Sequence, residues 1–205
     1  MATITELRTT IAAFVGATLQ KLEFKTDFNP VFYRHQEMAT YMISVTFLKR
    51  HQASYFSSNT ASFCLETGIY FQKQQAPDQM HVPSIPECHV RGNILRTFKQ
   101  VHPLKASRKL GWFHPEYKRK DIWWVDREGE HLDALLDKIP FHLERYGLPW
   151  LETYSDPAYI LWVLKKKKEC DPHTEGPFNI GKKGSPARLE LIQHLQELTG
   201  ETTSP

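Results

Sequence analysis

Cysteine and histidine stand next to each other, or nearly so, in two segments where they could do chemistry. Cys88-His89 suggests a nucleophile or a metal site, and residues 170–173 have the Cys-x-x-His spacing that could supply two zinc ligands. Adjacent strand residues point to opposite faces, however, so Cys88 and His89 cannot easily share one ion. Buried thiols are also usually inert packing. We therefore expect structural cysteines and no bound metal.

The same strand alternation predicts a polar row beside Cys88. If residues 87–91 form a strand, then Glu87, His89 and Arg91 share the face opposite Cys88. Glutamate and histidine are acid and base candidates, and arginine can hold an oxyanion or a phosphate. The row can also be a hydrogen-bonded edge with a purely structural role. It supports an alternative hypothesis, an enzyme acting on a phosphorylated or nucleic-acid substrate.

The strongest chemical signal is a concentration of positive charge. Between Arg91 and Lys120, nine basic residues stand against the single acid Glu116, a local net charge of +8, whereas the whole chain carries +3. Aromatic rings are interleaved with these cations in what we name the basic aromatic region, residues 91–124. The rings are those of Phe98, Trp112, Phe113, Tyr117, Trp123 and Trp124. The residues expected to contact a partner are Arg96, Lys105, Arg108, Lys109, Trp112, Tyr117, Lys118, Arg119 and Lys120.

Two classes of partner fit this composition. Cationic side chains neutralise phosphates while rings stack on bases, which suits a nucleic acid. An acidic protein fits as well, because tryptophan, tyrosine and arginine are the usual anchors of protein interfaces. A third interpretation is a solvated loop whose aromatic residues belong to the core.

A glycine-flanked basic turn precedes the last predicted helix. Lys182, Lys183 and Ser185 could hold a phosphate or carboxylate there, because free amides and the positive end of the helix dipole face the incoming chain. An ordinary helix cap explains the same residues. The Walker, Gly-x-Ser-x-Gly, His-Glu-x-x-His and Gly-x-Gly-x-x-Gly motifs do not occur in the sequence. We therefore expect no cofactor.

Hydrophobic periodicity predicts the elements that position these residues. Apolar residues recur every three to four positions over residues 4–22, which indicates an amphipathic helix opened by a Thr3–Glu6 capping box. A period of two then predicts strands over residues 31–34, 41–47, 63–71, 87–91 and 121–125. Residues 51–60 are expected to form a hairpin loop. Gly68 indicates a bulge or a close approach. Strands in succession without intervening helices favour an antiparallel sheet.

The last third of the chain has helical periodicity. Pro140 must end or kink a helix that follows residue 132, and Gly147 can supply a left-handed stop. Asp156 and Ser185, each followed by proline, open two further helices. The sequence thus predicts an α+β fold: a meandering antiparallel sheet of about five strands, an N-terminal helix on one face and a C-terminal helical region. The expected division is a sheet domain over 1–150, a helical extension on the same core over 151–200, and a frayed tail over 201–205.

Composition excludes several classes of protein. With 40% apolar and 24% charged residues, the 205-residue chain is neither disordered, collagen-like nor a coiled coil. A mean hydropathy of -0.48 and the lack of a long apolar run predict no membrane-spanning helix and no membrane partner. No signal peptide is expected from the first residues. Three cysteines make no disulfide framework, so a cytoplasmic location is expected.

The segment around Cys88 resembles a known family. Residues 87–92, Glu-Cys-His-Val-Arg-Gly, follow an apolar strand pair and a proline-rich loop, and precede a tryptophan strand and the 146–150 segment Tyr-Gly-Leu-Pro-Trp. This order is similar to that of a bacterial family catalogued as domain of unknown function 4304, over roughly residues 1–150. The resemblance implies an order of elements and no catalytic role. The family is associated with bacterial conflict systems, so the resemblance also implies, as a further hypothesis, an immunity-type interaction module.

The sequence therefore predicts a non-catalytic binding protein rather than an enzyme. Its basic aromatic region, residues 91–124, is expected to engage an acidic protein or a nucleic acid. The alternative is the enzyme that would use Glu87, His89 and Arg91.

Overall fold

One antiparallel sheet organises the molecule. The computed structural model describes residues 2–28, 30–55, 58–72, 81–95, 122–126, 128–166 and 185–201. Within these ranges the strands are β1 (Lys25–Phe28), β2 (Val31–His35), β3 (Ala39–Phe47), β4 (Phe63–Phe71) and β5 (Val90–Asn93). They lie in the sheet in chain order, and all neighbouring pairs are antiparallel.

Helices precede, interrupt and follow these strands. They are α1 (Ile4–Lys21), α2 (Arg50–Tyr55), α3 (Leu132–Leu136), α4 (Lys138–His142), α5 (Leu148–Tyr154), α6 (Pro157–Lys166) and α7 (Pro186–Thr199). A 3-10 turn spans Ile85–Glu87, and a π-helical turn spans Leu143–Gly147. The predicted α+β class, with an antiparallel sheet, an N-terminal helix and C-terminal helices, is confirmed. No helix in the described ranges is long and apolar enough to cross a membrane.

The alternating pattern predicts the two longest strands correctly. Tyr41, Ile43 and Val45 of β3 are buried in the main core, as are Leu65 and Ile69 of β4. The two strands pair in register along their whole length. Because side chains alternate across a strand, all five of these residues share the sheet face that the helices cover.

The sheet edges differ from the prediction. β1 carries the polar residues Lys25, Thr26 and Asp27, so no apolar alternation indicates it, and it forms by pairing irregularly with β2. The strand predicted over 121–125 is reduced to one bridge between Phe63 and Trp123. Compared with the prediction, the sheet therefore gains the strand β1 at one edge and loses the 121–125 strand at the other.

The segment between β3 and β4 is not the polar loop expected over residues 51–60. It contains α2. The start of this helix is capped, because the side chain of Gln52 accepts a hydrogen bond from the Lys49 amide at 3.0 Å. Ala53 is 2% exposed and packs with Leu48 and Cys64. A single buried alanine and a local cap are enough to form this short helix, and neither produces a periodic pattern.

The leading helix forms as the sequence predicts. The Thr3 hydroxyl accepts from the Glu6 amide at 3.2 Å, and the Glu6 carboxylate accepts from the Thr3 amide at 2.6 Å, which completes the capping box. Leu7, Ile11 and Val15 are buried in the main core. α1 therefore packs its apolar face on the sheet.

The C-terminal helices cover the same face as α1. Trp150 of α5, Ile160 and Leu161 of α6, and Leu191 and Leu195 of α7 all belong to the main core cluster. Each of these side chains is at most 4% exposed. The core is therefore continuous from α1 through the sheet to α7.

Two backbone predictions in this region have different outcomes. The helix breaks between α3 and α4, because Pro140 has no amide hydrogen for the carbonyl of Leu136. The left-handed stop predicted at Gly147 is wrong, since its φ is −67° and the chain continues into α5. Glycine is needed there for close packing, because a Cβ atom would lie 2.6 Å from Cδ1 of Ile94. Asp156 caps α6 as predicted, accepting an amide hydrogen bond at 2.8 Å.

Substitution of Gly92 tests whether β5 must lie close to α5. A Cβ at this position would lie 2.8 Å from Cζ2 of Trp150, which is 1% exposed and cannot move aside. We expect Gly92→Ala to destabilise the fold by about 1–3 kcal/mol through overpacking. A thermal melt should show a decrease in Tm of roughly 3–10 °C.

Gly16→Ala is the matched control. Its Cβ would lie at an ordinary 3.4 Å from Cε1 of Phe32, in the interior of α1. This variant should be neutral or stabilised by up to about 1 kcal/mol, because alanine favours helix more than glycine does. Equal melting temperatures for the two variants would contradict the close packing of Gly92 against Trp150.

Candidate interface at the β5 edge of the sheet

The outer edge of β4 is occupied by two separate segments of the chain. β5 pairs with β4 from Ile69 opposite Val90 to Glu66 opposite Asn93. Beyond it, Phe63 exchanges two backbone hydrogen bonds with Trp123, at 2.7 and 3.1 Å. Phe63 and Glu66 are three positions apart in β4, which is about 10 Å at roughly 3.3 Å per strand residue.

This pairing fixes both ends of the basic aromatic region. The chain leaves β5 at Asn93 and returns at Trp123 to the same side of the same strand. Residues 96–121 join these two points and lie outside the described residues, as do all nine residues expected to contact a partner. What the structure adds is the base of the region, which is closed by hydrogen bonds to β4.

Two of the region's aromatic residues belong to the fold. Trp123 is 3% exposed, and its ring stacks on Phe63 with centroids 6.1 Å apart. Trp124 is half-buried and packs on the cluster that contains Cys64 and Ile122, on the other face of the sheet. The two tryptophans therefore point to opposite faces, as predicted, and neither is an exposed stacking platform.

Glu87 does not lie on a strand, so the predicted polar row over 87–91 is wrong in its geometry. Its carboxylate accepts hydrogen bonds from the amide and the hydroxyl of Ser84, at 2.7 and 2.5 Å, which closes the 3-10 turn. These hydrogen bonds hold the pKa of Glu87 below its ordinary value. The turn is stable because a local cap satisfies two donors, and this outweighs the weak strand pattern.

His89 is held by the backbone of β4. Its Nδ1 accepts a hydrogen bond from the Phe71 amide at 2.9 Å, and its ring stacks on Tyr70 with centroids 4.6 Å apart. Burial, reinforced by the neighbouring His194, lowers its pKa to about 4. The ring is therefore neutral at physiological pH, with its proton on Nε2.

The three members of the predicted row have separate surroundings. Glu87 is exposed in its turn, His89 is half-buried against β4, and Arg91 is half-exposed on β5 opposite Gly68. Among the described residues, no hydrogen bond or ion pair joins any two of them. Sequence reasoning does not find His194, which lies beside His89 although 105 positions separate the two in the chain.

Cys88 is a structural thiol. It is 5% exposed, packs with Tyr33 and Met42, and donates a hydrogen bond from Sγ to the Ser84 carbonyl at 3.5 Å. Burial raises its pKa to about 12. A strand over 87–91 would place Cys88 and Val90 on one face, but Val90 lies in the main core on the opposite side, because the strand begins only at Val90.

Gly68 is the close approach that the sequence indicates. A Cβ at this position would collide with Sγ and Cβ of Cys88, so only glycine lets the 85–88 turn lie against β4. No group of three histidine, cysteine, aspartate or glutamate side chains in the described part of the chain could hold a metal ion. The second cysteine motif, residues 170–173, lies outside that part.

The predicted anion site before α7 is described only at Ser185. This residue is the N-cap of α7, and its carbonyl accepts from the Arg188 amide at 3.1 Å, as at the start of any helix. Lys182 and Lys183 lie outside the described residues.

The fold and this edge define an α+β protein with a meandering antiparallel sheet, and comparison with known families identifies the group. The family model described as Domain of unknown function (DUF4304) matches residues 15–153. The chain belongs to this family, as the segment around Cys88 indicates. Searches of curated proteins and of solved structures gave no match. The matched range ends within α5, so α6 and α7 lie beyond it.

The burial of Cys88 predicts an unreactive thiol. A pKa of about 12 instead of 9.0 reduces the thiolate fraction at neutral pH by about a thousandfold. We expect a maleimide reagent at about pH 7.5 to leave Cys88 unlabelled in the native protein and to label it after unfolding, as read by peptide mass spectrometry. Gly68→Ala is the informative comparison, since displacing the 85–88 turn should expose the thiol. Rapid labelling of native wild-type Cys88 would contradict its assignment as packing.

Proposed function

We propose that this protein is a non-catalytic binding protein whose basic aromatic region, residues 91–124, engages an acidic partner protein. The observation that carries the proposal is the pairing of Asn93 and Trp123 with the same edge of β4. It brings both ends of a strongly cationic segment to within about 10 Å of each other. Both junctions of the cationic segment with the fold therefore lie at the same edge of the sheet.

The electrostatics favour recruitment of an acidic surface. Residues 91–120 carry a net charge of +8, and the remainder of the chain sums to -5. Charges within a Debye length, about 8 Å at physiological salt, act together on an approaching partner. Such a field accelerates association and selects partners of opposite sign.

The burial of two aromatic residues favours a protein partner over a nucleic acid. Trp123 is in the core and Trp124 is half-buried, which removes two rings from any stacking surface for bases. The four rings that remain include those of Trp112 and Tyr117, and tryptophan, tyrosine and arginine are the residue types that anchor protein interfaces. Binding to a nucleic acid is an outcome that the experiment below separates.

The surroundings of the candidate catalytic residues also support a binding role. The lone pair of His89 that a general base would need already accepts from the Phe71 amide. The carboxylate of Glu87 is engaged by Ser84. His89 would have to break its contact with the Phe71 amide before Nδ1 could act as a base, and within the described ranges no hydrogen bond joins it to Glu87.

Charge removal in the region tests the proposal. We expect the triple variant Lys118→Gln, Arg119→Gln, Lys120→Gln to bind a fluorescein-labelled polyglutamate peptide at least about tenfold more weakly than wild type in an anisotropy titration. Wild-type affinity should fall as salt rises from about 50 to 200 mM, because the attraction is screened.

The matched control removes three cations elsewhere. Lys21→Gln, Lys25→Gln, Lys49→Gln changes the same net charge at exposed positions outside the region, and its affinity should stay within about twofold of wild type. Equal losses in both variants, or no binding at about 50 mM salt, would overturn the proposal. Tighter binding of a single-stranded DNA of matched length would assign the region to nucleic acid instead.

A further inference from the structure

No strand among the described residues pairs with the end of β4 on its outer side. Phe71 is the last residue of β4 and lies opposite Ala39 of β3, whereas β5 begins only at Val90, opposite Ile69. The amide and carbonyl of Phe71 face this outer side. Phe71 is fully buried, and backbone groups buried without a partner cost as much as a lost hydrogen bond.

Two imidazole rings take the place of the missing strand. The Phe71 amide donates to Nδ1 of His89 at 2.9 Å, and Nε2 of His194 donates to the Phe71 carbonyl at 2.9 Å. The ring centroids of these two residues, which we name the histidine pair, are 5.3 Å apart. His194 belongs to α7, so the pair joins the C-terminal helix to the sheet.

The two histidines respond differently to acid. Nδ1 of His89 is an acceptor, so that nitrogen must be unprotonated, and a proton there would set two donors against each other. Nε2 of His194 is a donor and stays one when the ring becomes cationic. Protonation of His89 alone therefore breaks a hydrogen bond of the pair.

The groups that face His89 come from every element packed against it. Tyr70 and Phe71 of β4 contact its ring, and His194 faces it from α7. His81 contacts the ring of Tyr70. Glu87 and Arg91 lie two positions before and after His89 in the chain. The carboxylate of Glu87 is directed to Ser84, so it does not stabilise a cation on His89. Apart from the faces of the Tyr70 and Phe71 rings, the described part of the site offers an imidazolium ion only burial and a second histidine.

We propose that the histidine pair is a pH-sensitive contact that holds α7 on the end of β4, and that protonation of His89 opens it. The proposal does not depend on the binding function of the basic aromatic region. It concerns a helix outside residues 15–153, the range that the family model matches.

The direction of the pH effect follows from the two states of His89. Its pKa is about 4 when α7 is docked and returns towards 6.5 when the contact is open and the ring is solvated. The open state then binds protons more tightly, so docking is strongest above pH 6.5 and weakens as the pH falls from 6.5 towards 4. The opening equilibrium should rise by about a hundredfold over this window.

The rest of α7 is held to the core by contacts of its own. Leu191, Leu195 and Leu198 are buried in the main core, and the guanidinium of Arg188 donates to the Leu164 carbonyl at 2.9 Å. Neither contact involves the histidine pair. Opening of the pair weakens the docking of α7, so acid should increase the population in which α7 is undocked while the sheet remains folded.

Hydrogen exchange of single amides tests the proposal. After correction for the intrinsic rates, protection of the Phe71 amide and of the α7 amides should fall by at least about tenfold between pH 7.5 and 5. His89→Asn supplies an acceptor that does not titrate, so protection at these amides should then change with pH no more than protection at the amides of α1. His194→Gln keeps the sensor and should retain the pH dependence at Phe71.

The same comparison separates the effect of His89 from the effects of other histidines. His35 and His142 are half-buried, and burial lowers their pKa values, so both reduce global stability in acid. Their effect should appear equally in wild type and in His89→Asn, and also at the amides of α1. The proposal would be overturned if the pH dependence at Phe71 and α7 in His89→Asn still exceeded that at α1, or if in wild type it were the same in α1 as in α7.

An NMR titration of the wild-type protein needs no variant. The imidazole nitrogen shifts of His89 should report a proton on Nε2 and a pKa near 4. A proton on Nδ1 at neutral pH, or a pKa at or above 6.5, would contradict the contact with the Phe71 amide.

Discussion

The hydrogen-bonding of β4 along both edges is the constraint on which the structure depends. On one side it pairs with β3 over its whole length. On the other side Trp123, β5, and then the side chains of His89 and His194 occupy successive positions. A buried strand must satisfy its backbone groups, and this chain does so with one short strand, one bridge and two imidazoles. That arrangement explains why the basic aromatic region begins and ends where it does.

Close packing at glycines makes this arrangement possible. Gly68 lets the turn that carries Cys88 lie on one face of β4, and Gly92 lets Trp150 of α5 lie on the other face of β5. Each missing Cβ admits a bulky or sulfur-containing side chain that is itself nearly fully buried. The turn that precedes β5 and the strand itself are thus each fixed by close packing in addition to the hydrogen bonds of β5 with β4.

Local patterns predict some of this fold and cannot predict the rest. The apolar periods of α1, β3 and β4 predict those elements, because each buries one face along its own length. Two features have causes that periodicity does not contain: the polar strand β1 forms only through its hairpin with β2, and the 85–87 turn depends on the Ser84–Glu87 contact. In the candidate site, charge indicates the basic region, but the contact of His194 with Phe71 joins positions 123 residues apart. No signal in one sequence reports such a pair.

The part of the chain that carries the main core is larger than the part that the family model matches. That range begins at residue 15, inside α1, and ends at residue 153, inside α5. Leu7 and Ile11 before it, and Leu191 and Leu195 after it, are buried in the same cluster as the sheet. Burying each leucine or isoleucine contributes about 1.5–3 kcal/mol, so these four side chains are comparable to the whole net stability of an ordinary domain. A chain cut to the matched range would expose the helix face of the sheet and leave the carbonyl of Phe71 without His194. The histidine pair therefore lies at the boundary where residues beyond the matched range complete the sheet within it.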